Sequence, residues 1–370
     1  MCRFKSGIIL KDRVFIPDYD SHEDMLKELK IEDTEDNAKR LFVRAELIPP
    51  DDDVFTPVSE WKYHVDQDIL PDWYVPEIDE KRMRDAVAEW AKEHIHVGKK
   101  IKEITSGLHW IKGGTVGVIG GSAEIRALFG SAKIGSICDT AEVENIFDTA
   151  EVESVCDFAE VGSICDTAEV GSVCDTAKVG SVCGFAKVGS VYGSAKVGYI
   201  CDSAKVGSVR SSAEVGNIYG SAEVDNICGS ADVGKIYGSA KVVNVYDTAT
   251  VENICGLATV ENICGSAKVV YIYGSAKVVN VYDTATVENI CGLATVGSVC
   301  DTAKVGSVCD TAKVGSVCGS ATVMTDSVLK WHNADAVCIK GEAVLIDRYD
   351  KKIYHAGAFK TVIARGKKDE

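Results

Sequence analysis

The sequence is poor in proline and in positive charge, and it lacks long apolar runs. Only 6 of its 370 residues are proline, and all of them precede residue 77. The formal net charge of −16 argues against a general nucleic-acid binder, which needs a cationic surface, and it disfavours docking on anionic lipid. No apolar run approaches the ~20 residues of a membrane span, and the opening MCRFKSGIILKDR lacks a secretory-type signal. We therefore expect a cytoplasmic protein.

The dominant feature that is present is a nine-residue repeat. Between Ala123 and Ala321 alanine occupies every ninth position, 23 times in succession. Two residues after each alanine stands Val or Ile, and five residues after it stands Ile, Val or Leu in every repeat but the last. A strict period with a constant phase predicts one supersecondary unit stacked on copies of itself.

The unit GSVCDTAKV at Gly171–Val179 shows what each repeat does. The alternation of Ala177, Lys178 and Val179 is that of a strand, and the Gly, Asp, Ser and Thr residues on either side are typical of turns. We interpret each nonapeptide as two very short strands and two corners. A coil could consist of two nonapeptides or of three, and the narrow alanine favours two, or about 18 residues per coil. The prediction is a mainly β chain with a parallel β-solenoid of 11 or 12 coils, roughly 55 Å long at ~4.8 Å per coil.

Fifteen cysteines would usually suggest metal or redox chemistry. Thirteen of them occupy one repeat position, three residues before the alanine. The same position accepts tyrosine in six repeats, phenylalanine in two and arginine in one. A ligand or disulfide site would not accept tyrosine in alternate copies, so we interpret this position as packing or surface filling.

The exposed position after each alanine carries charge in blocks. The first two long blocks are Glu142, Glu151, Glu160 and Glu169, then Lys178, Lys187, Lys196 and Lys205. Like charges in one ladder repel at this spacing, so we interpret the blocks as solvated faces amplified by duplication. Lys241–Val260 is indeed identical to Lys277–Val296, four repeats later.

Known solenoid signatures are missing. The hexapeptide of acyltransferases, the glycine-aspartate nonapeptide of calcium-binding toxins and a continuous threonine array of the ice-binding kind are all absent from the sequence. We therefore expect no acyltransferase, calcium-binding or ice-binding role for the repeats.

The two ends differ from the repeats. Residues 1–98 predict a small α/β domain, with a hairpin at Gly7–Ile16, a helix starting at Ser21, strands at Leu41–Ile48 and Trp61–Val65, and a helix at Glu80–His96. Residues 99–120 are interpreted as a linker or N-terminal cap, and 121–323 as the solenoid. Residues 324–370 predict a C-terminal β cap, with a hairpin across Tyr349-Asp350 and a further strand at Phe359–Ala364. Caps are expected because open sheet edges aggregate.

Three segments carry a resemblance to a known family. They are the opening Met-Cys-Arg-Phe-Lys-Ser-Gly-Ile-Ile, the stretch VRAELIPP at 43–50 and the stretch VDQDILPDWY at 65–74. Together they resemble an uncharacterised family associated with gut bacteria and their phages, in which a small N-terminal domain is joined to tandem alanine-valine repeats. The resemblance covers roughly residues 1–95. It implies a bacterial cytoplasm, with possible phage origin, and no particular chemistry.

Few residues suggest catalysis. Removal of Met1 would expose Cys2, whose amine could act as its own base, although Arg3 stands where such enzymes usually carry glycine. His94 and His96 are weak candidates for a shared metal, the alternative being favourable placement at a helix C-terminus. His64 with Asp66, Asp68 and Asp72 is interpreted as an acidic turn.

The sequence thus favours a non-enzymatic structural or interaction protein. In this hypothesis a capped β-solenoid rod presents repeated surfaces to a protein partner, or to a second copy, and the N-terminal domain is an adaptor or partner-binding head. We expect no cofactor. One alternative is an amidohydrolase-like enzyme with an N-terminal cysteine and the solenoid as spacer. A second is an acidic rod that mimics DNA.

Overall fold

A computed structural model describes residues 5–326 and 338–355. The chain is mainly β, with 50% strand and 11% helix, and consists of a small N-terminal α/β region and a parallel β-solenoid of about 13 turns. The coil length is about 18 residues, which confirms the predicted fold class and decides against a coil of three repeats.

The N-terminal region, called the head below, is an antiparallel sheet with helices packed on it. Its strands are β1 (Lys5–Leu10), β2 (Val14–Phe15), β3 (Phe42–Ile48) and β4 (Lys62–Val65), in the order β2-β1-β3-β4. Its helices are α1 (His22–Glu28), α2 (Glu35–Ala38) and α3 (Pro76–His94), with short 3-10 turns at Pro50–Asp52 and Val58–Glu60. The predicted hairpin is confirmed, and so is the start of α1, because the Ser21 side chain accepts a hydrogen bond from the Asp24 backbone N–H.

The rod follows directly. It starts with β5 (Ile95–Val97), β6 (Lys100–Lys112) and β7 (Thr115–Phe129). The repeats then give β8 (Lys133–Ile137), β9 (Glu142–Ile146), β10 (Glu151–Val155), β11 (Glu160–Ile164), β12 (Glu169–Val173), β13 (Lys178–Val182), β14 (Lys187–Val191), β15 (Lys196–Ile200), β16 (Lys205–Val209), β17 (Glu214–Ile218), β18 (Glu223–Ile227), β19 (Asp232–Ile236), β20 (Lys241–Val245), β21 (Thr250–Ile254), β22 (Thr259–Ile263), β23 (Lys268–Ile272), β24 (Lys277–Val281), β25 (Thr286–Ile290), β26 (Thr295–Val299), β27 (Lys304–Val308), β28 (Lys313–Val317) and β29 (Thr322–Thr325). The last described strands are β30 (Cys338–Ile339), β31 (Val344–Asp347) and β32 (Lys352–His355).

Each repeat strand pairs in parallel with the second strand before it and the second strand after it. Val152, for example, lies between Ile134 and Val170, each two repeats away along the chain. Alternate strands therefore build two opposite faces, and the alanine and the two aliphatic positions of every repeat fill the space between them. Ala150 and Val155 have no exposed surface, and Val152 is 2% exposed. The aliphatic columns form one continuous core along the rod.

The interpretation of each nonapeptide as two very short strands was wrong in detail. Each repeat is one five-residue strand followed by a tight turn. The ladder pairs the first, second, fourth and fifth residues, as at Glu151, Val152, Ser154 and Val155, and skips the third. The third residue still belongs to the strand, and its neighbours keep their partners in the coils above and below.

The turn explains why only Gly, Asp and one Ser stand two positions before the repeat alanines. The residue two positions before each repeat alanine has a positive φ, as at Asp175 (57°), Gly184 (65°) and Ser211 (61°). Glycine adopts this conformation without strain, and aspartate tolerates it better than most residues. Each aspartate at this position also accepts a hydrogen bond from the backbone N–H of the equivalent residue one coil earlier, as from Gly229 to Asp247 at 3.0 Å. The recurring aspartates thus have a structural role.

The charge blocks are better matched than the sequence suggests. Because ladder neighbours are two repeats apart, a block of four repeats places only two like charges in each ladder, and the next block supplies the opposite sign. The lysines of the second block each contact a glutamate in the adjacent coil: Lys178 with Glu160, Lys187 with Glu169, Lys196 with Glu214 and Lys205 with Glu223. These exposed pairs add little stability individually, but they offset the expected repulsion.

The stack extends beyond the perfect repeats at both ends. Strand β6 and the start of β7 fall in the range predicted as linker or cap. They belong to the solenoid, because β6 pairs with β7 and β7 pairs with β8 and β9. At the other end Val323 pairs with Leu345, four positions further along than the repeat register would place its partner, so Gly341–Leu345 is a displaced further repeat. The predicted hairpin across Tyr349-Asp350 is confirmed as antiparallel β31 and β32. The strand predicted at Phe359–Ala364 lies outside the described residues.

The alanine column sets a strict limit on side-chain size. We expect Ala222→Leu to lower the free energy of unfolding by about 1–3 kcal/mol, because Ala222 has no exposed surface and the added atoms have no room. Chemical denaturation followed by circular dichroism measures the change.

The matched control is Ser221→Leu. Ser221 is exposed, and its turn position already carries leucine at Leu257 and Leu293. Equal stability of the two variants would contradict a filled core at the alanine.

Candidate functional site

A cluster of aromatic and histidine side chains lies where the head meets the first coil. Helix α3 packs on β6 through Trp90 and Trp110, whose rings meet edge to face with centroids 5.8 Å apart. Phe55 of the head also contacts Phe129 of β7, with ring centroids 4.9 Å apart. The head is therefore seated on the rod by aromatic contacts. We call this region the junction.

Three histidines are stacked in the junction. His94 ends α3, His96 lies in β5 and His109 lies in β6, and the His109 ring is 5.3 Å from each of the other two rings. The prediction that His96 ends a helix was wrong: α3 stops at His94, because the following residues pair with Trp110–Lys112 as a strand.

The hydrogen bonds fix how two of these rings are protonated. His109 Nε2 is 2.9 Å from the Ser106 carbonyl, which can only accept, so this nitrogen carries the proton. His109 Nδ1 is then an acceptor for His96 Nε2 at 3.2 Å. His96 Nδ1 is left to accept from the Lys99 ammonium at 3.5 Å. Both rings are neutral in this chain of contacts.

Burial also favours the neutral form of His96 and His109. It lowers the pKa of His96 from 6.5 to about 4, with nearby His109 and Lys99 adding to the effect. Burial also lowers the pKa of His109. The junction thus holds two imidazoles that stay uncharged through the neutral range.

His94 has separate partners. Its Nδ1 is 2.6 Å from the Leu108 carbonyl, and its Nε2 is 3.2 Å from Asp18, which also accepts from the Trp90 indole at 3.2 Å. Neither nitrogen of His94 is directed at His96. The metal proposed for this pair stays a prediction, and within residues 5–326 and 338–355 neither histidine belongs to a group of three adjacent potential ligands.

An open cleft of about 850 Å³ lies beside the junction. Its wall combines head and rod residues: Asp18, Tyr19, Asp20, Ser21, His22, Gly107, Leu108, Ser122, Glu124 and Arg126. Asp20 accepts from the Lys5 ammonium at 3.0 Å and from the Ser6 backbone N–H at 3.1 Å. The lining residues include the carboxylates of Asp18, Asp20 and Glu124 and the guanidinium of Arg126.

The remaining candidates from the sequence are Cys2 and the group around His64. Cys2 lies outside the described residues, so its catalytic role stays a prediction. His64 is exposed on β4 and pairs with Glu46, whereas Asp66 contacts His22 at 3.3 Å. His22 and Glu46 were missed from the sequence, because α1 and β3 come together only in the folded head.

The cysteine columns are mainly packing positions, with one correction. Cys300 and Cys318 form a disulfide across one coil, although the sequence argued against a disulfide at this position. The reasoning failed because alternate repeats lie in two separate columns of the rod. Two cysteines that are two repeats apart are therefore neighbours, whatever residue the repeat between them carries. Burial raises the pKa of several remaining thiols, that of Cys156 to about 11, which lowers their reactivity.

Comparison with family models, curated proteins and solved structures finds no match to this chain. The resemblance of residues 1–95 to a gut-bacterial and phage family therefore stays a prediction. Among the described helices, none has both the length and the apolar character needed to cross a bilayer.

The neutral histidines predict an acid-sensitive junction. Unfolded His96 binds a proton near pH 6.5 and the folded residue only near pH 4, so its contribution is complete above pH 6.5 and is lost as the pH falls towards 4. Between pH 7 and 5 we expect His96 to account for up to about 2 kcal/mol of lost stability. Urea unfolding followed by tryptophan fluorescence measures this, since four of the five tryptophans lie at or before residue 110.

His96→Gln should flatten the pH dependence, and His64→Gln, at an exposed histidine, should leave it unchanged. An unaltered slope in His96→Gln would refute the role of His96.

Proposed function

We propose that this chain is a non-enzymatic interaction protein, in which a rigid solenoid rod presents repeated surfaces to a protein partner and the head acts as an adaptor. The observation that carries the proposal is the separation of roles within each repeat. Alanine and the two aliphatic positions are nearly constant and buried, whereas variation is concentrated at outward positions. Such a scaffold varies its surface without altering its core.

The turns of the rod form two edges. We call edge A the turns before Ala123, Ala141 and every second repeat alanine after them, and edge B the turns before Ala132, Ala150 and every second one after them. The residue just before each alanine is usually Ser or Thr. Phe185, Leu257 and Leu293 replace it on edge B, and Phe158 on edge A.

These replacements expose apolar surface without a structural need. Phe185 is 67% exposed, Leu257 66% and Leu293 65%. On the same edge Tyr219 and Tyr237 stack with ring centroids 5.1 Å apart. Exposed phenylalanine and leucine side chains that recur along one polar edge are typical of protein contacts. Edge B is therefore the proposed docking surface.

A photo-crosslinking residue introduced into the full chain tests this. It is placed at Ser239 on edge B or at Ser230 on edge A, two serines in the same turn position. We expect a discrete cross-linked product, with a partner or with a second copy of the chain, from position 239 and little from position 230. In cells that express the chain, gel mobility and mass spectrometry identify the product.

The triple substitution Phe185→Ser, Leu257→Ser and Leu293→Ser should strongly reduce that product, while Phe158→Ser on edge A should not. Each change restores a residue type that other turns already carry, so folding should be unaffected. Equal products from both edges, or none, would contradict the proposal. Loss of function in Cys2→Ala with folding intact would instead favour the N-terminal-cysteine enzyme.

A further inference from the structure

The head contains a group of metal-ligand side chains that the interaction function does not use. His22, Glu46 and Asp66 each offer one potential ligand atom, and these atoms lie within 4.8 Å of one another. His22 and Glu46 are both 6% exposed, whereas Asp66 is 53% exposed in its side chain. Two of the three potential ligands are therefore buried in the head, and the third, Asp66, faces solvent.

A backbone carbonyl orients the imidazole of His22. Its Nε2 is 3.3 Å from the Ala45 carbonyl, and because a carbonyl can only accept, this nitrogen carries a proton. A backbone carbonyl on the far nitrogen is the usual way in which proteins orient a metal-binding imidazole. The other nitrogen, Nδ1, faces the Asp66 carboxylate at 3.3 Å. An ion held at this point would be bound by the imidazole and by the carboxylate together.

A second observation points to the same place. The hydroxyl of Ser6 has no exposed surface, and it has no hydrogen-bond partner among the residues that the structure describes. Ser6 lies directly opposite Glu46 in the β1–β3 pair, so both side chains project from the face on which α1 places His22. A buried hydroxyl without a partner is costly, and a bound ion with its water would satisfy it.

We propose that His22, Glu46 and Asp66 bind one divalent transition-metal ion, for which Zn²⁺ is the natural probe. One imidazole and two carboxylates form a mixed nitrogen and oxygen set that suits zinc, with a fourth position left for water. The ion would offset two carboxylates that share a single imidazole. His22 also lines the cleft beside the junction, which gives the ion a route from solvent.

The other two ligand groups among the described residues are weaker candidates. Each lies on the rod and depends on cysteine: Cys291 with Cys309 and Asp310, and Cys138 with Asp139 and Asp157. Asp139, Asp157 and Asp310 are already engaged in the turn hydrogen bonds that link successive coils. Burial also raises the pKa of the Cys138 thiol, and a thiol must lose its proton to bind metal.

Cobalt binding to the full-length chain tests the site, because its spectrum distinguishes this nitrogen and oxygen site from metal bound to the rod cysteines. Co²⁺ held by nitrogen and oxygen gives visible bands without the near-ultraviolet charge-transfer band of a thiolate ligand. We expect one such ion per chain, displaced by Zn²⁺ and not by Mg²⁺. His22→Gln and Asp66→Asn should each weaken its affinity by about tenfold or more.

The matched controls are His64→Gln and Asp68→Asn, at exposed residues of the same types nearby, and they should bind as the unmodified chain does. Circular dichroism checks that His22→Gln folds, and Asp66→Asn changes an exposed side chain in any case. No thiolate-free spectrum, a spectrum that survives both substitutions, or equal losses in the controls would overturn the proposal and leave His22 and Asp66 as an ion pair.

Discussion

The parallel backbone ladder between residues two repeats apart is the constraint on which the rest of the rod depends. Each coil is too small to enclose a core, so its strands are satisfied only by the coils above and below. Val152 between Ile134 and Val170 illustrates the rule, which holds without interruption through the perfect repeats. The turn aspartates reinforce it, because each aspartate side chain reaches the backbone of the previous coil.

This constraint also decides which positions are free to vary. The alanine column must stay small, and the turn residue must tolerate a positive φ. The remaining outward positions follow no such rule, and they carry the matched charges, the aromatic columns and the exposed Phe185, Leu257 and Leu293. A variable surface on a constant core is what a binding rod needs. Because the repeat register is exact, whole coils can also be duplicated without disturbing the ladder, as in the identical segments Lys241–Val260 and Lys277–Val296.

Much of the fold could be predicted from the sequence, because the information is local and periodic. The alternation at Ala177 and Val179 predicts the buried face directly, and Ser21 predicts the start of α1. Strand β6 and the start of β7 were assigned to a linker or cap because they precede the first alanine of the repeat, and the last repeat at Gly341–Leu345 was hidden by its displacement. The disulfide between Cys300 and Cys318 was missed because neighbours in the fold are every second repeat in the sequence.

The candidate sites could be predicted far less well. His94 and His96 are two residues apart in the chain, yet the partner of His96 is His109, which comes from another strand. His22, Glu46 and Asp66 belong to three separate segments of the head, and no local spacing connects them. Only the pairing of β1 with β3 and the packing of α1 bring such residues together, and these depend on long-range contacts.

The native cysteines provide the most direct measurement of the two-repeat register. Parallel neighbours in adjacent coils are close enough for a disulfide, as the 4.5 Å between the Cα atoms of Cys300 and Cys318 shows. Mild oxidation of the folded chain, followed by peptide mapping, should therefore give bonds between cysteines two repeats apart, such as Cys156 with Cys174 and Cys165 with Cys183. Bonds mainly between cysteines one or three repeats apart, such as Cys156 with Cys165 or with Cys183, would contradict the two-repeat coil.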